Sequence, residues 1–337
     1  MVEKTPLLAV RNVRVHYPMP QARAWPWQPV PLLKAVDGIH FELQAGQTLG
    51  VVGESGCGKS TLARAIAGLS PHVQGEIWWE GKNLLAADSA TAHTARRDIQ
   101  MIFQDPLASL NPRMTIGNSI AEPLRNHEPH LNADQREKRV LQIMDRVGLL
   151  SRVINRYPHE LSGGQCQRVG IARALILKPK LIICDEPVSA LDVSVQAQVV
   201  NLLSELQRED GLSLIFIAHD LAVVKHISDR VMVMYLGRAC EQGDSQLLYS
   251  DPQHPYTRVL LAAVPGTDPH VERAKCVDML EGELPSPINP PSGCVFRTRC
   301  SHAIESCALR RPGLQGSERH AVACPVMLQK AGVCSPS

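Results

Sequence analysis

Short apolar runs alternate with amphipathic stretches along most of this chain. The clearest runs of strand length are Thr48–Val52, Ile99–Phe103, Leu181–Cys184, Leu214–Ala218 and Arg230–Tyr235. Helical patterns lie between them, and the plainest is an apolar stripe that starts at Val195 and ends before Gly211. Strands that alternate with helices in this way predict a parallel α/β sheet.

Two regions interrupt this alternation. Residues within about 105–165 are helical and rich in charge, and Asn132 is placed to cap a helix there. We expect them to form a helical subdomain inserted into the α/β core. Residues 7–17 and 39–52 predict strands, and the proline-rich stretch 18–31 predicts an exposed loop in the hairpin between them, because proline cannot donate to a sheet ladder.

The character of the sequence changes after about residue 265. Residues 284–293 contain four prolines and can form neither a helix nor a central strand. They lead into a segment that is rich in cysteine. We therefore expect one large domain, residues 5–265, followed by a small extension, residues 266–337.

Composition excludes some classes of function. Lys and Arg number 35 against 33 Asp and Glu, and the formal charge of +2 lacks the basic excess that nucleic-acid binding needs. No stretch approaches the roughly twenty apolar residues that span a bilayer, and the first residues lack the pattern of a signal peptide. We expect a soluble, cytosolic chain that binds no nucleic acid and serves a membrane only by docking.

A complete phosphate-binding loop follows the strand Thr48–Val52. It reads Gly53-Glu54-Ser55-Gly56-Cys57-Gly58-Lys59-Ser60, and Thr61 continues it into a helix. The glycines let backbone N–H groups turn toward one phosphate, and the helix start adds the positive end of a dipole. We expect Lys59 to reach the β- and γ-phosphates and the Ser60 hydroxyl to bind Mg²⁺.

Two carboxylates, Asp185 and Glu186, follow the apolar strand Leu181–Cys184. A strand that ends in this way places both at the carboxyl edge of the sheet, where we also expect the phosphate loop. Asp185 would hold the magnesium, directly or through water. Glu186 would polarise the attacking water as a general base.

The pentapeptide Leu161-Ser162-Gly163-Gly164-Gln165 stands just ahead of another predicted helix. Two glycines after a serine let the amino end of that helix approach a γ-phosphate closely. This pentapeptide matches the signature motif of the ABC transporter ATPases. Together with the phosphate loop and the Asp185-Glu186 pair, it makes residues 5–265 resemble that family. The resemblance implies an α/β fold of the P-loop NTPase class: a RecA-like core with a parallel sheet, an antiparallel β subdomain and an inserted α-helical subdomain.

The same resemblance implies further roles. Gln104 matches the Q-loop glutamine, which senses the nucleotide and its magnesium and contacts the membrane partner. The run Ser189-Ala190-Leu191-Asp192 matches the D-loop, His219 matches the switch histidine, and Tyr17 matches the aromatic residue that stacks on adenine. The signature residues are implied to bind ATP held by the opposite subunit of a head-to-tail dimer.

The last part of the chain resembles the ATPases of dipeptide and oligopeptide importers, through Asp251–Thr257, Gly282–Pro287 and Gly293–Cys300. This implies an ATPase on the cytoplasmic face of the inner membrane, paired with a paralogous ATPase, two transmembrane permease subunits and, indirectly, a solute-binding protein. The segment Asp105–Pro112, with exposed leucines, is implied to dock on the permease. Related importers carry nickel or glutathione, so an ATPase for one of these solutes is an alternative. A second alternative, from another class of function, is a soluble ABC ATPase without a membrane partner.

The ten cysteines raise the question of a metal site. Six of them lie in the extension, and four of these have five, six and sixteen residues between them: Cys294, Cys300, Cys307 and Cys324. Cys276 and Cys334 fall outside this pattern, and we expect them to be ordinary thiols. So small a segment usually needs a metal or disulfide staple, and the cytosol disfavours the disulfide. We expect a structural [4Fe–4S] cluster at these four residues, with zinc and ordinary reduced thiols as the alternatives.

Overall fold

The computed structural model describes residues 5–20, 29–189, 191–263 and 283–330. Its contacts divide the chain into two units, which are described separately. The first unit comprises Met1–Leu7, Leu43–Thr48 and Trp79–Ala218. The second unit comprises Leu8–Glu42, Leu49–Trp78 and His219–Ser337.

Strands and helices alternate along much of the described chain. The strands are β1 (Leu8–Pro18), β2 (Leu32–Leu43), β3 (Thr48–Val52), β4 (Val73–Trp79), β5 (Lys82–Asn83), β6 (Ile99–Ile102), β7 (Leu181–Asp185), β8 (Ser213–Ile217), β9 (Arg230–Tyr235), β10 (Arg238–Asp244), β11 (Gln315–Ser317) and β12 (His320–Val322). The α-helices are α1 (Lys59–Ile66), α2 (Ser89–Asp98), α3 (Ile116–His127), α4 (Ala133–Arg146), α5 (Gly163–Leu175), α6 (Val193–Asp210), α7 (Leu221–Ile227), α8 (Ser245–Ser250), α9 (Pro255–Ala262), α10 (Ser306–Leu309) and α11 (Pro325–Lys330).

In the first unit, β6, β7 and β8 form a parallel sheet, which confirms the prediction for these strands. Ile99 of β6 pairs with Leu181 of β7, and Asp185 of β7 pairs with Ile217 of β8. All residues of β7 and β8 are buried, as expected of parallel strands that are covered on both faces. Because parallel strands end at one edge, β7 delivers Asp185 to the edge where sheets of this kind bind ligands.

The first unit also contains a group of neighbouring helices. Helices α3, α4 and α5 pack against one another. Asn132 caps α4, since its Oδ1 accepts a hydrogen bond of 2.9 Å from the Gln135 N–H and its own N–H donates to Gln135 Oε1 at 3.0 Å. This reciprocal pair satisfies two N–H groups that the helix start leaves without partners. Gly211 ends α6 with a φ of 65°, the left-handed conformation that glycine adopts at helix ends.

The second unit contains strands from both ends of the chain. Its main sheet has the order β11-β12-β10-β9-β3, in which only the β3–β9 pair is parallel. A separate sheet places β2, β1 and β4 side by side in that order. The predicted strands at 7–17 and 39–52 are therefore confirmed in outline, although β2 begins earlier, at Leu32.

The carboxy-terminal extension is built into the second unit. β12 pairs with β10, so the extension adds to the main sheet. Phe296 is 1% exposed, and its ring centroid lies 5.3 Å from those of both Tyr235 and Tyr256. Residues 284–293 form neither helix nor strand, as predicted.

Some predicted features lie outside the described residues. They are residues 21–28 of the proline-rich insertion, Ala190 of the D-loop, the boundary near residue 265, Cys276 and Cys334. The ends of the insertion are described, and the Met19 N–H donates to the Pro31 carbonyl at 2.9 Å. In the part of the chain that the structure covers, no helix is both long enough and apolar enough to cross a bilayer.

Candidate active site

The phosphate-binding loop of the second unit runs from the end of β3 to the start of α1, the context that the sequence predicts. Lys59 is only 4% exposed. Its ammonium group donates to the Gly53 carbonyl at 2.7 Å and to the Glu54 carbonyl at 3.0 Å. The loop therefore surrounds the Lys59 ammonium with carbonyl groups that phosphate oxygens can replace, an arrangement that fits a polyphosphate ligand.

Close backbone contacts fix the two ends of this loop. Gly53 has a φ of 151°, and a Cβ there would lie 2.2 Å from the Met234 carbonyl. Gly58 has a φ of 103°, and a Cβ there would lie 2.0 Å from the Ala35 carbonyl. Only glycine fits both the dihedral angles and the space. Gly56 at the tip has no heavy atom within 4 Å of a built Cβ, so the tip is open.

Cys57 closes the back of the loop as a packed thiol. It is 1% exposed, and its carbonyl accepts a hydrogen bond of 2.9 Å from the Gly237 N–H. Burial raises the pKa of the Cys57 thiol, although the nearby Lys59 ammonium opposes the shift. The thiol is therefore neutral and structural at physiological pH.

The second unit also contains four other predicted site residues. Ser60 and Thr61 lie in the first turn of α1 and are half-buried. Tyr17 is half-buried on β1, and its hydroxyl lies 2.8 Å from Ser70 Oγ. His219 is exposed and directly precedes Asp220, whose carboxylate caps α7.

The first unit holds the predicted general base. Asp185 ends β7 and is 1% exposed. The next residue, Glu186, has a φ of 47°, and its carboxylate accepts a hydrogen bond of 2.8 Å from Gln104 Nε2. Glu186 also donates its N–H to the Ile217 carbonyl at 3.0 Å. The structure thus brings together the predicted base and the Q-loop glutamine, which are 82 positions apart in sequence.

The signature residues form the exposed amino end of α5. Ser162 Oγ accepts a hydrogen bond of 3.4 Å from the Gln165 N–H, and Gln165 Oε1 accepts one of 3.0 Å from the Ser162 N–H. Gly164 has no room for a side chain, since a Cβ there would lie 2.8 Å from Val195 Cγ1. Ser162 and Gly163 are exposed. An exposed helix amino end with this cap is suited to an anion.

The D-loop lies against this signature within the first unit. Leu191 Cδ2 is 3.9 Å from a Cβ built on Gly163. Asp192 stands at the cap position of α6 but makes no side-chain cap hydrogen bond, and it is exposed. The next residue, Val193, is 82% exposed. The signature and the D-loop therefore present one surface that includes an exposed apolar side chain.

The predicted docking segment Asp105–Pro112 is exposed only in part. Leu107 is 50% exposed, but Leu110 is 4% exposed, so the expectation that both leucines face solvent is wrong for Leu110. The reason is local. Asp105 Oδ1 accepts hydrogen bonds from two following N–H groups, and Arg173 donates to the Ser109 carbonyl at 2.7 Å. This turn directs Leu110 inward and leaves Leu107 outside.

Two residues outside the nucleotide-binding motifs, Tyr256 and Arg299, form hydrogen bonds with the phosphate loop. The Tyr256 hydroxyl accepts a hydrogen bond of 2.8 Å from the Glu54 N–H, across 202 positions of sequence. Arg299 Nη1 donates to both carboxylate oxygens of Glu54, at 2.9 and 3.1 Å. Both residues lie in stretches that resemble the peptide-importer ATPases, but that resemblance gave no signal of a contact with the phosphate loop.

Comparisons with known proteins identify two matching families and several similar proteins. Residues 36–189 match the family described as "ABC transporter", and residues 240–307 match "Oligopeptide/dipeptide transporter, C-terminal region". The chain is 65% identical to the oligopeptide transport ATP-binding protein OppF of Salmonella typhimurium, over 94% of this chain and 95% of that protein. It is 50% identical to the dipeptide transport ATP-binding protein DppF of Haemophilus influenzae, over 96% and 97%.

A solved structure shares the fold. It is the dimeric, post-hydrolysis state of the ATP-binding cassette MJ0796 bound to ADP and phosphate, with a TM-score of 0.63 and 28% identity. The match covers 71% of this chain and 98% of that one. The present chain thus has the mixed α/β fold of an ATP-binding cassette.

The expectation of a [4Fe–4S] cluster at Cys294, Cys300, Cys307 and Cys324 is wrong. Among the described residues, which include these four, no group of three or more His, Cys, Asp or Glu side chains is placed to hold a metal ion. The relatives are named for ATP binding and transport, not for a cluster. Nothing in these findings supports zinc either.

The physical reason is that the extension does not have to fold alone. Val295 is 5% exposed and Phe296 is 1% exposed, both packed in the second unit. Ile304 and Leu309, two large apolar residues of the same segment, are 45% and 81% exposed and add nothing to an independent core. Strand pairing with β10 and the aromatic contacts of Phe296 replace the staple that an isolated segment of this size would need.

Proposed function

The chain belongs to the oligopeptide-transport family of ABC transporter ATPases, and on that premise we propose how its residues bind and hydrolyse ATP. It is the ATP-binding, ATP-hydrolysing subunit of an importer for oligopeptides. The observation that carries this conclusion is the nearly end-to-end match with oligopeptide-transport ATP-binding proteins. Nickel or glutathione import and a membrane-free ATPase are not favoured by that match.

We assign ATP binding to the phosphate loop. The Lys59 ammonium, held by two carbonyls in the loop, exchanges them for oxygens of the β- and γ-phosphates. Backbone N–H groups from Gly53 to Thr61 bind the remaining phosphate oxygens. Tyr17 stacks on the adenine. When bound, Mg²⁺ neutralises charge on the phosphates, and Ser60, Gln104 and Asp185 are the residues that would hold it.

We assign hydrolysis to Glu186. Its carboxylate takes a proton from water as the water oxygen forms a bond to the γ-phosphorus and the bond to the ADP oxygen breaks. The hydrogen bond from Gln104 orients this carboxylate. We assign to His219 a hydrogen bond to the γ-phosphate, the role of the switch histidine in the family.

We propose that ATP closes two such subunits head to tail. The exposed amino end of α5, from Ser162 to Gln165, then faces the γ-phosphate on the opposite subunit, with Asp192 of the D-loop beside it. An exposed signature and an exposed Val193 support this proposal, because both are surfaces that a partner would cover.

We propose a peripheral position on the cytoplasmic face of the inner membrane. The partners are a paralogous ATPase subunit, two transmembrane permease subunits and, indirectly, a solute-binding protein. The permease docks at the turn of Asp105–Pro112, where Leu107 is exposed on a rigid scaffold. No nucleic acid is involved.

We also propose the finer division of the chain. Residues 5–265 form the ATPase domain, which includes an antiparallel β subdomain and a helical subdomain at about 105–165. Residues 266–337 form the extension that is typical of oligopeptide importers. Helices α3 and α4 support the helical subdomain, and β2, β1 and β4 support the antiparallel one.

Reconstitution tests this function. The full chain is purified from membranes with the proteins that accompany it, and the partners are identified by mass. Vesicles that contain the assembly and ATP should accumulate a labelled oligopeptide, and a Lys59→Met subunit should abolish this uptake. Uptake of nickel or glutathione without oligopeptide uptake would contradict the assigned substrate.

A further inference from the structure

Glu54 of the phosphate loop is held at three points. Its N–H donates to the Tyr256 hydroxyl at 2.8 Å, and its carbonyl accepts from Lys59 Nζ at 3.0 Å and from the Cys57 N–H at 3.2 Å. Its carboxylate accepts both short contacts from Arg299 Nη1. Two of these three groups are bonded to residues from the carboxy-terminal part of the chain.

The groups that hold Glu54 are themselves rigid. Tyr256 and Tyr235 are fully buried, and their ring centroids lie 4.8 Å apart in an edge-to-face arrangement. Phe296 packs against both rings and is only three positions before Arg299. The Arg299 guanidinium lies 6.0 Å from the Tyr235 ring centroid, and the side chain is 9% exposed. Packing therefore fixes Arg299 before any ligand binds.

The charge of Glu54 makes this contact relevant to a phosphate site. A carboxylate in the loop that binds a polyanion disfavours that ligand unless a cation neutralises it. Arg299 supplies the cation, and its side chain is mostly removed from water, so the pair is screened less than a surface pair. Loss of Arg299 alone would leave the carboxylate uncompensated.

We propose that Arg299 of the extension is a positioning residue for ATP binding. By pairing with Glu54, it holds the wall of the phosphate loop in place and cancels the one negative charge of the loop. Arg299 acts through Glu54 and does not touch the nucleotide. The extension thereby sets the affinity for ATP. This inference rests on the proposed role of the loop as the ATP phosphate site.

The test compares three variants of the full chain with a matched control. Arg299→Met removes the charge, Arg299→Lys keeps the charge without the planar fork, and Glu54→Gln/Arg299→Met removes both charges. The control is Arg297→Met, because Arg297 is a half-buried arginine of the same segment whose side chain donates only to Ser292 among the described residues. Fluorescence titration with mant-ATP gives the Kd, and thermal melts without nucleotide report folding.

We expect the Kd for mant-ATP to rise about tenfold in Arg299→Met, within the usual range of coupling between sites. The Kd of Arg299→Lys should rise less, by about threefold, and the Kd of Arg297→Met should equal that of the wild type. The double variant should recover to within about threefold of the wild type, because it leaves no unpaired carboxylate. In the assembled importer, KM for ATP should follow the Kd while kcat at saturating ATP stays within about twofold.

Several results would overturn the inference. Equal Kd values for Arg299→Met and Arg297→Met would show that the extension does not set ATP affinity. A double variant as weak as Arg299→Met would show that the effect does not pass through Glu54. If Arg299→Met does not fold, a wild-type Kd in Arg299→Lys contradicts the proposal. Failure of the folded wild-type chain to bind mant-ATP would instead contradict the ATP site itself.

Discussion

The two units hold their functional residues in different ways. In the second unit, the phosphate loop is braced: Lys59 is 4% exposed, and contacts from distant parts of the chain fix both the backbone and the side chain of Glu54. In the first unit, the carboxylate of Glu186 accepts an exposed hydrogen bond from Gln104. The signature at α5 is exposed as well.

This difference indicates a division between a preorganised and an adjustable part. A loop that binds the same phosphates in every cycle gains affinity when its shape is fixed before binding. In the proposed mechanism the base and the signature act when two subunits close, so both must be accessible in the open state. We therefore expect substitutions of Glu186 to change the rate of hydrolysis, and substitutions in the phosphate loop and its bracing contacts to change affinity or stability.

The largest expected effect is a loss of ATP hydrolysis without a loss of ATP binding. Glu186→Gln removes the general base, so kcat for ATP hydrolysis should fall about 10²–10⁴-fold. The Kd for ATP should change little, because Glu186 belongs to the adjustable part. Steady-state phosphate release in the assembled importer and mant-ATP titration measure the two quantities.

The control for this variant is Glu205→Gln, an exposed carboxylate of α6 in the same unit. It should hydrolyse ATP at the wild-type rate. Near-normal turnover of Glu186→Gln in the assembled importer would exclude Glu186 as the general base. It would also contradict the division between a preorganised and an adjustable part.

The second effect is the reverse, a loss of affinity. Lys59→Met removes an ammonium group that should form charge-assisted hydrogen bonds to phosphate, so the Kd for ATP should rise about 10- to 100-fold. Lys82→Met, an exposed lysine far from the motifs in sequence, is the control. An unchanged Kd in Lys59→Met would mean that the braced loop does not bind the phosphates.

The sequence predicted the local parts of both units well. The P-loop context, the parallel strands β6 to β8 and the cap at Asn132 all follow from short-range patterns, which need only the chemistry of neighbouring residues. The buried state of Leu110 was missed because it depends on the turn at Asp105.

The extension was the main failure. Its cysteine spacing suggested a self-contained metal module, whereas pairing of β12 with β10 and packing of Phe296 make it part of a larger core. Arg299 and Glu54 are 245 positions apart, so no local pattern could connect them. Contacts of this kind depend on tertiary structure.

A third prediction concerns the exposed surface of the first unit. Leu107→Asp places a charge on the proposed docking turn, so co-purification with the permease should weaken by about 5- to 30-fold, as for a modest interface hot spot. The Kd for ATP should stay at the wild-type value. Leu150→Asp is the control, since Leu150 is 58% exposed and lies outside the turn. Equal loss of permease in both variants would contradict docking at Asp105–Pro112.

The smallest effect concerns the stability of the braced unit and depends on pH. Glu241 is fully buried and accepts hydrogen bonds from the N–H groups of Gln253 and His254 and, at 2.7 Å, from His320 Nε2. Burial would raise the pKa of Glu241, but the hydrogen bonds, that of His320 foremost, lower it. The bond to Glu241 raises the pKa of His320 above 6.5, although burial opposes the shift.

The sign of the pH dependence follows from these two shifts. His320 is charged in both states below pH 6.5, where its contribution is complete, and the contribution is lost as the pH rises through the raised pKa. The contribution of Glu241 is present above 4.5 and is lost as the pH falls through its lowered pKa. Burial lowers the pKa of the neighbouring His254 to about 4, so His254 stays neutral over the range that matters for His320.

His320→Gln keeps a donor to Glu241 but removes the titration. At pH 6 the variant should be less stable than the wild type by about 1 kcal/mol, a charged hydrogen bond discounted for partial exposure. The difference should shrink as the pH rises above 6.5, because the wild type loses its charge and the variant does not. Denaturant unfolding at several pH values measures this, with the exposed His302→Gln as the control. A difference that is constant with pH would show that the charge of His320 is not a source of stability, and an equal difference in both variants would show that its contact with Glu241 is not one either.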